Sequence, residues 1–214
     1  MEQPRKKPQD EPVMRVEDCR IKTVSADSLS DYCKVPIRFC GTSVLEVRSL
    51  ENGFGGIILE ERDVTPFYKD YDALETPRLW PEQFDTANWR FYLAMAGTRP
   101  VGAATLAMKT RGVRMLEGRD DLACLWDLRV HPEWRGEGLG TELFRTAALD
   151  ARESGCMWLK VETQNYNVGA NRFYHGQGCH LGQVHLHAYD HEPGHSGEVM
   201  LVWYLDLKDW TAGH

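Results

Sequence analysis

Residues 125–140, L-W-D-L-R-V-H-P-E-W-R-G-E-G-L-G, constrain the fold more than any other stretch of the chain. Leu125 to Val130 are strand formers in loose alternation, and Pro132 stops the strand. Beyond the turn, Thr141 to Arg152 place Leu143, Phe144, Ala147, Ala148 and Ala151 at helical spacing. Between them Gly136, Gly138 and Gly140 remove Cβ atoms where backbone must approach a ligand. A helix starting there aims unpaired N–H groups, and the positive end of its dipole, into the turn. An anion is the natural occupant, above all a pyrophosphate. Spacing excludes two other phosphate loops: there is no G-K-[ST] ending, and the two-residue gap of G-x-G-x-x-G is missing. A ligand-free glycine turn is the bland alternative, disfavoured because strand, proline, arginine and three glycines all fall in register.

The rest of the chain supplies the sheet around this unit. A short strand from Arg20 leads to a helical turn at Leu29 to Cys33. Strands at Ser43 to Arg48 and Gly56 to Val64 flank the hairpin turn Glu51-Asn52-Gly53. A second hairpin joins Phe91 to Ala96 with Val101 to Met108. After the helix, Trp158 to Thr163 reads as a strand parallel to the one at 125–130, as a strand-helix-strand crossover requires. A short helix over Asn167 to Gln177 and strands at His180 to Tyr189 and Glu198 to Leu207 complete an α+β pattern with a mixed sheet. At 214 residues the chain suits a single domain over 19–214, after a proline-rich, charged leader at residues 1 to about 18 expected to be disordered.

Composition narrows the partners. No apolar run approaches the ~20 residues of a membrane helix, and the N-terminus lacks a signal-peptide core, so a cytoplasmic protein is expected. The net charge of −7 disfavours nucleic acid and mildly favours a small cationic molecule. Cysteines 19, 33, 40, 124, 156 and 179 include no C-x-x-C and read as reduced thiols. In the aromatic stretch Arg78 to Trp89, which follows F-Y-K-D-Y-D, large rings such as Trp80 and Trp89 beside Asp70, Asp72 and Asp85 could hold a cation by ring faces and carboxylates. The alternative is a helix packing its aromatics on the sheet, with its acids solvated. His185 and His187 share a strand face, with His191 and His195 in the next loop. No motif of known metal mechanics accompanies them, so no metal is expected.

The run R-x-x-G-x-G from Arg135 to Gly140, preceded by L-R-V-x-P, resembles the acetyl-coenzyme-A signature of the GNAT acetyltransferase superfamily. Glu162-Thr163-Gln164 with N-x-x-A-x-x-F-Y (Asn167 to Tyr174), and W-P-x-x-F-D-x-x-N-W (Trp80 to Trp89), resemble streptothricin acetyltransferases over roughly residues 60–207. The resemblance implies a mostly antiparallel sheet splayed between the signature strand and its parallel neighbour, flanked by helices. It also implies an acetyl-coenzyme-A-dependent N-acetyltransferase acting by direct transfer, without an acyl-enzyme. Main-chain groups of Leu128, Arg129 and Val130 would pair with the pantetheine arm, and amides from Arg135 through Gly136, Glu137, Gly138, Leu139, Gly140 and Thr141 would hold the pyrophosphate. Asn167 would bond the cofactor, and Tyr174 would protonate the departing thiolate. Many relatives dimerise, which leaves a homodimer open.

An alkylammonium of reference pKa ~10.4 must lose a proton before it attacks. Glu162 and Asp127 stand equally as candidates to bind it or accept that proton, and pairing with Arg129 or Lys160 is the structural alternative for both. The acceptor implied is a small cationic amine of streptothricin type. A polyamine, an aminoglycoside, a protein lysine or N-terminus, and a non-catalytic coenzyme-A sensor are the rivals. The strand-rich segment before Arg78 and the histidine-rich final hairpin read as departures from that family, bordering the acceptor site.

Overall fold

The computed structural model describes residues 15–73, 75–191 and 197–211. Through these run β1 (Cys19–Val24), β2 (Phe39–Ser49), β3 (Ile57–Lys69), β4 (Arg90–Ala96), β5 (Arg99–Met108), β6 (Leu122–Val130), β7 (Trp158–Gln164), β8 (His180–His185) and β9 (Met200–Asp206). Seven form one sheet in the order β1-β4-β5-β6-β7-β9-β8, while β2 and β3 form a separate antiparallel hairpin. The helices are α1 (Leu29–Tyr32), α2 (Trp80–Gln83), α3 (Leu139–Glu153) and α4 (Val168–Gly176). In the large sheet only β6 and β7 pair parallel, because α3 returns the chain across one face before β7 begins.

β5 is apolar nearly throughout because both of its faces are covered. On one side α3 presents Leu139, Leu143, Phe144, Ala147, Ala148 and Ala151, all buried. On the other, Leu29, Tyr32, Trp80, Trp89, Val113 and Leu116 form a second core against Phe91, Leu93, Ala103 and Ala107. Gly102 lets α3 approach closely: a Cβ there would lie 2.9 Å from Leu143 Cδ1 and 3.1 Å from Leu139 Cδ2.

The cleft follows from the strand register. The β6–β7 ladder runs from Leu122↔Trp158 to Leu125↔Val161 and stops. There Trp126 is an extra residue on β6, since Leu106 pairs with Leu125 and Thr105 with Asp127. Such a bulge bends its strand. β7 meanwhile stays paired with β9 through Gln164. The two strands therefore part, and one edge of residues 126–130 pairs with no strand among the described residues.

Several elements differ from expectation. The segment 78–89 is one 3-10 turn (Pro77–Leu79) plus the four-residue α2, because Phe84 returns to extended backbone. β2 and β3 extend well beyond 43–48 and 56–64, and Glu51, Asn52 and Gly53 take the left-handed conformations that turn the chain between them. β8 ends at His185, so His187 lies in the following turn and shares no strand face with it. Val16–Asp18 form a 3-10 turn leading directly into β1, and residues 1–14 of the expected leader lie outside the described residues. Among the described residues, no helix is long and apolar enough to cross a membrane.

Candidate active site

Where β6 loses its neighbour, its main chain becomes a ligand surface. His131 N–H donates to Val101 O at 2.8 Å, facing β5. Alternation along the strand then turns the main-chain groups of Leu128 and Val130 to the open edge. Val130 O accepts from Arg135 Nε at 2.9 Å, and Arg135 NH2 reaches Arg38 O at 2.8 Å. The loop that follows is a cradle of main chain. Gly136 (φ 83°) and Gly138 (φ 94°) sit in the left-handed region, with no heavy atom within 4 Å of where a Cβ would project. Gly138 precedes α3 and provides no side-chain cap, which leaves first-turn amides available to an anion.

The cleft beyond this loop encloses a cavity of about 1000 Å³. Tyr174, on α4, lines it and packs against Phe173 and Phe144 at 5.3 and 6.2 Å between ring centroids. Burial, then the charge of Asp127, raises its hydroxyl pKa well above the ordinary tyrosine value, so it is protonated at neutral pH. Cys124 also lines the cavity, and burial, then Glu162, pushes its thiol up to about 12. Little nucleophilic thiolate exists there at neutral pH. Thr163 Oγ1, on the same wall, is buried and has no hydrogen-bond partner among the described residues. An open strand edge, an amide cradle and an unpaired buried hydroxyl together fit a long ligand with amide groups and a phosphate end.

The two acids expected on the central strands have different surroundings. Asp127 is buried and accepts from Tyr32 Oη (2.7 Å), Arg129 Nε (2.8 Å) and Arg129 NH2 (2.6 Å). Arg129 in turn donates to Asp72 (2.8 Å) and Val35 O (3.1 Å). Burial opposes the guanidinium charge, yet Asp127 and Asp72 hold its pKa above the ordinary value. Asp127 thus sits in a structural ion pair, the alternative raised above. For Glu162 the expected partner is engaged elsewhere: Lys160 pairs with Glu117, at 2.6 Å. Glu162 is the first β7 residue past the ladder, lines the cavity, and accepts from Tyr189 Oη, which Gln164 Nε2 also contacts at 3.1 Å. Beside it Tyr71 Oη donates to Glu198 (3.3 Å), whose side chain is fully buried and pairs with Lys69. Burial first, then Glu198 for Tyr71 and Glu162 for Tyr189, raises both phenol pKa values, so both hydroxyls are neutral donors.

The cavity brings together Leu128, Arg129, Val130, Arg135, Gly136, Gly138, Gly140, Thr141, Asn167 and Tyr174 with Asp127, Glu162 and Trp80. Glu137 and Leu139 do not line it; Leu139 is in the core, so any share these residues have is through main-chain amides. Asn167 spends its Oδ1 capping α4 on Ala170 N (3.0 Å), and its NH2 is the half a ligand could use. Trp89 is buried in the second core with Nε1–H on Thr110 Oγ1 (3.0 Å), and Asp85 is exposed, bonded to Ala87 N (3.1 Å). Neither lines the cavity. Sequence reasoning missed Tyr71, Tyr189, Glu75 and residues 39–43 at the base of β2, all of which do. The signals for them were the F-Y-K-D-Y-D run, which holds Tyr71, and the expectation that the segment before Arg78 and the final hairpin would border the acceptor. Of the histidines, His187 pairs with Asp190 at 2.9 Å, His195 lies outside the described residues, and His185, His187 and His191 do not line the cavity. Among the described residues no group of three or more His, Cys, Asp or Glu is placed to hold a metal ion.

Comparison with known proteins yields one family and several relatives. The profile of the acetyltransferase (GNAT) family matches residues 58–179. Streptothricin acetyltransferase A of Bacillus subtilis (strain 168) is 26% identical over 158 residues, covering 74% of this chain and 83% of that protein. Streptothricin acetyltransferase of Escherichia coli is 27% identical over 191 residues, covering 89% of this chain and 95% of that protein. That second span is too long to leave out the strand-rich segment before Arg78. A solved structure from Bacillus anthracis str. Ames in complex with acetyl coenzyme A is 23% identical, with a TM-score of 0.69 over 88% of this chain and 99% of that one.

Proposed function

This chain belongs to the acetyltransferase (GNAT) family, and from that premise we propose that it transfers the acetyl group of acetyl coenzyme A to a primary amine of a cationic, streptothricin-type acceptor. The observation that carries the reading is the parting of β6 and β7 at Leu125↔Val161, which puts an unpaired strand edge, a phosphate cradle and Glu162 on one cavity. The activity is that of an acetyl-coenzyme-A-dependent N-acetyltransferase; the antibiotic acceptor is suggested by the two relatives named for it.

Bound acetyl coenzyme A supplies the acetyl thioester and its thiol leaving group. The chain does the rest. Main-chain groups of Leu128 and Val130 align the ligand along β6, and the Leu128 amide is the donor on that edge for a carbonyl oxygen. Amides of the Arg135–Thr141 turn hold the phosphate end. Glu162, oriented by Tyr189, binds the acceptor's ammonium and takes its proton, directly or through water. Tyr174 keeps its proton at neutral pH and delivers it to the departing sulfur. Cys124 stays a thiol, which favours direct transfer from donor to amine.

The test is thiol release from acetyl coenzyme A with streptothricin, spermidine and an aminoglycoside. Streptothricin is expected to give the highest kcat/KM, and Tyr174→Phe to lower its kcat about 100-fold. No turnover with any of the amines would contradict the enzymatic reading, and Tyr174→Phe at wild-type rate would remove that residue from the mechanism.

A further inference from the structure

The cavity holds a third carboxylate that the reaction does not use. Glu75 lies in the loop before α2, and its Oε1 accepts Trp80 Nε1–H at 2.5 Å. Oε2 has no hydrogen-bond partner among the described residues, and Glu75 lines the cavity with Trp80, Trp126 and Met115. The aromatic wall is a contiguous set of ring contacts. Trp126, half-buried, is braced by Phe84 at 5.2 Å and Trp89 at 5.3 Å, and Trp89 also touches Trp80 at 6.2 Å.

Carboxylates outnumber the guanidinium beside them here. Asp127 and Asp72 both bond Arg129, and Glu75 lies within electrostatic reach of Asp127 and Arg129. Three carboxylates therefore face one guanidinium, and the two bonded acids already occupy it. Glu75 is exposed as a residue, yet desolvation at the cavity wall raises its carboxyl pKa above the ordinary glutamate value, so its charged form gains from a cationic partner. A cation supplies what is missing, through a charge-assisted hydrogen bond to Oε2 and ring-face contact.

We propose that Glu75, walled by Trp80 and Trp126, is a specificity subsite for a second cationic group of the acceptor, an ammonium or guanidinium that is not acetylated. It rests on the acetyltransferase reading of the cleft, in which Glu162 serves the reacting amine. The bulge at Trp126 then has a second consequence. Besides opening the strand edge for the thioester, it carries an aromatic ring into the acceptor end, so donor and acceptor sites share one backbone irregularity. An acceptor with a single charge would satisfy Glu162 and leave Glu75 unpaired.

Glu75→Gln tests this, because glutamine retains an oxygen for Trp80 and removes only the charge; Glu75→Asp, which keeps the charge on a shorter arm, is the second variant. Calorimetric binding of spermidine and of butylamine is measured on the coenzyme-A-bound protein, with thermal melting to confirm the fold and streptothricin turnover read separately. Spermidine affinity is expected to fall about tenfold or more in Glu75→Gln, and less in Glu75→Asp, while butylamine affinity changes less than twofold. Equal losses for both amines, no loss for spermidine, or no spermidine binding by the wild type would overturn the subsite. Absence of streptothricin turnover with the spermidine difference intact would overturn the antibiotic reading alone.

Discussion

The donor half and the acceptor half of the cleft are built on opposite plans. Pantetheine and pyrophosphate would meet main chain: the open edge of β6 and the glycine turn into α3, all within residues 128–141. The acceptor would meet side chains such as Phe39, Tyr71, Glu75, Trp80, Trp126, Glu162 and Tyr189, which only the tertiary fold brings together. Main-chain recognition tolerates substitution, provided that glycine stays where φ is positive, as at Gly136 and Gly138. Side-chain recognition can be retuned one residue at a time. The same fold can thus keep one donor and exchange acceptors.

The acceptor half is where this comparison is most exposed to failure, because Asp127 and Glu162 looked equivalent in the sequence. If Glu162 takes the proton, Glu162→Gln should lower kcat/KM at pH 7 by about 100- to 1000-fold. Part of the loss should return as pH rises toward the amine's own pKa of ~10, since the acceptor then deprotonates without help. Rates at wild-type level across pH 7–10 would move the base elsewhere. Asp127→Asn should act mainly on the fold. Weakening the buried pair with Arg129 is expected to cost about 3 kcal/mol, a drop of roughly 10 °C in melting temperature. At permissive temperature its turnover should fall far less than that of Glu162→Gln. The opposite pattern, a stable but inactive Asp127→Asn, would exchange the two roles.

The donor half was legible because its information is local. Pro132, Arg135 and three glycines within nine residues encode a strand end, a turn and a helix start, and the crossover to β7 follows from chain direction. The parting of the strands could be expected only by resemblance, because it depends on one extra residue, Trp126, in a register that no local pattern declares. The acceptor half was barely legible. Tyr71 begins a 3-10 turn after Phe67 and Tyr68, Tyr189 lies in the turn after β8, and nothing near them in sequence predicts that they approach Glu198 and Glu162. The aromatic run at 80–89 left a cation site and a packing face both open in the sequence, and of its residues only Trp80 reaches the cavity. Trp89 went to the core, where its large apolar surface is buried against Phe91 and Trp126.

The most direct measurement is a calorimetric titration of acetyl coenzyme A into the wild-type protein and into Gly138→Val. The wild type should give saturable one-site binding. The variant should bind at least tenfold more weakly, because valine at φ 94° forces the turn to rearrange and puts a side chain where the phosphates would lie. No heat with the wild type, or equal affinity in the variant, would contradict a donor held by the turn after Pro132.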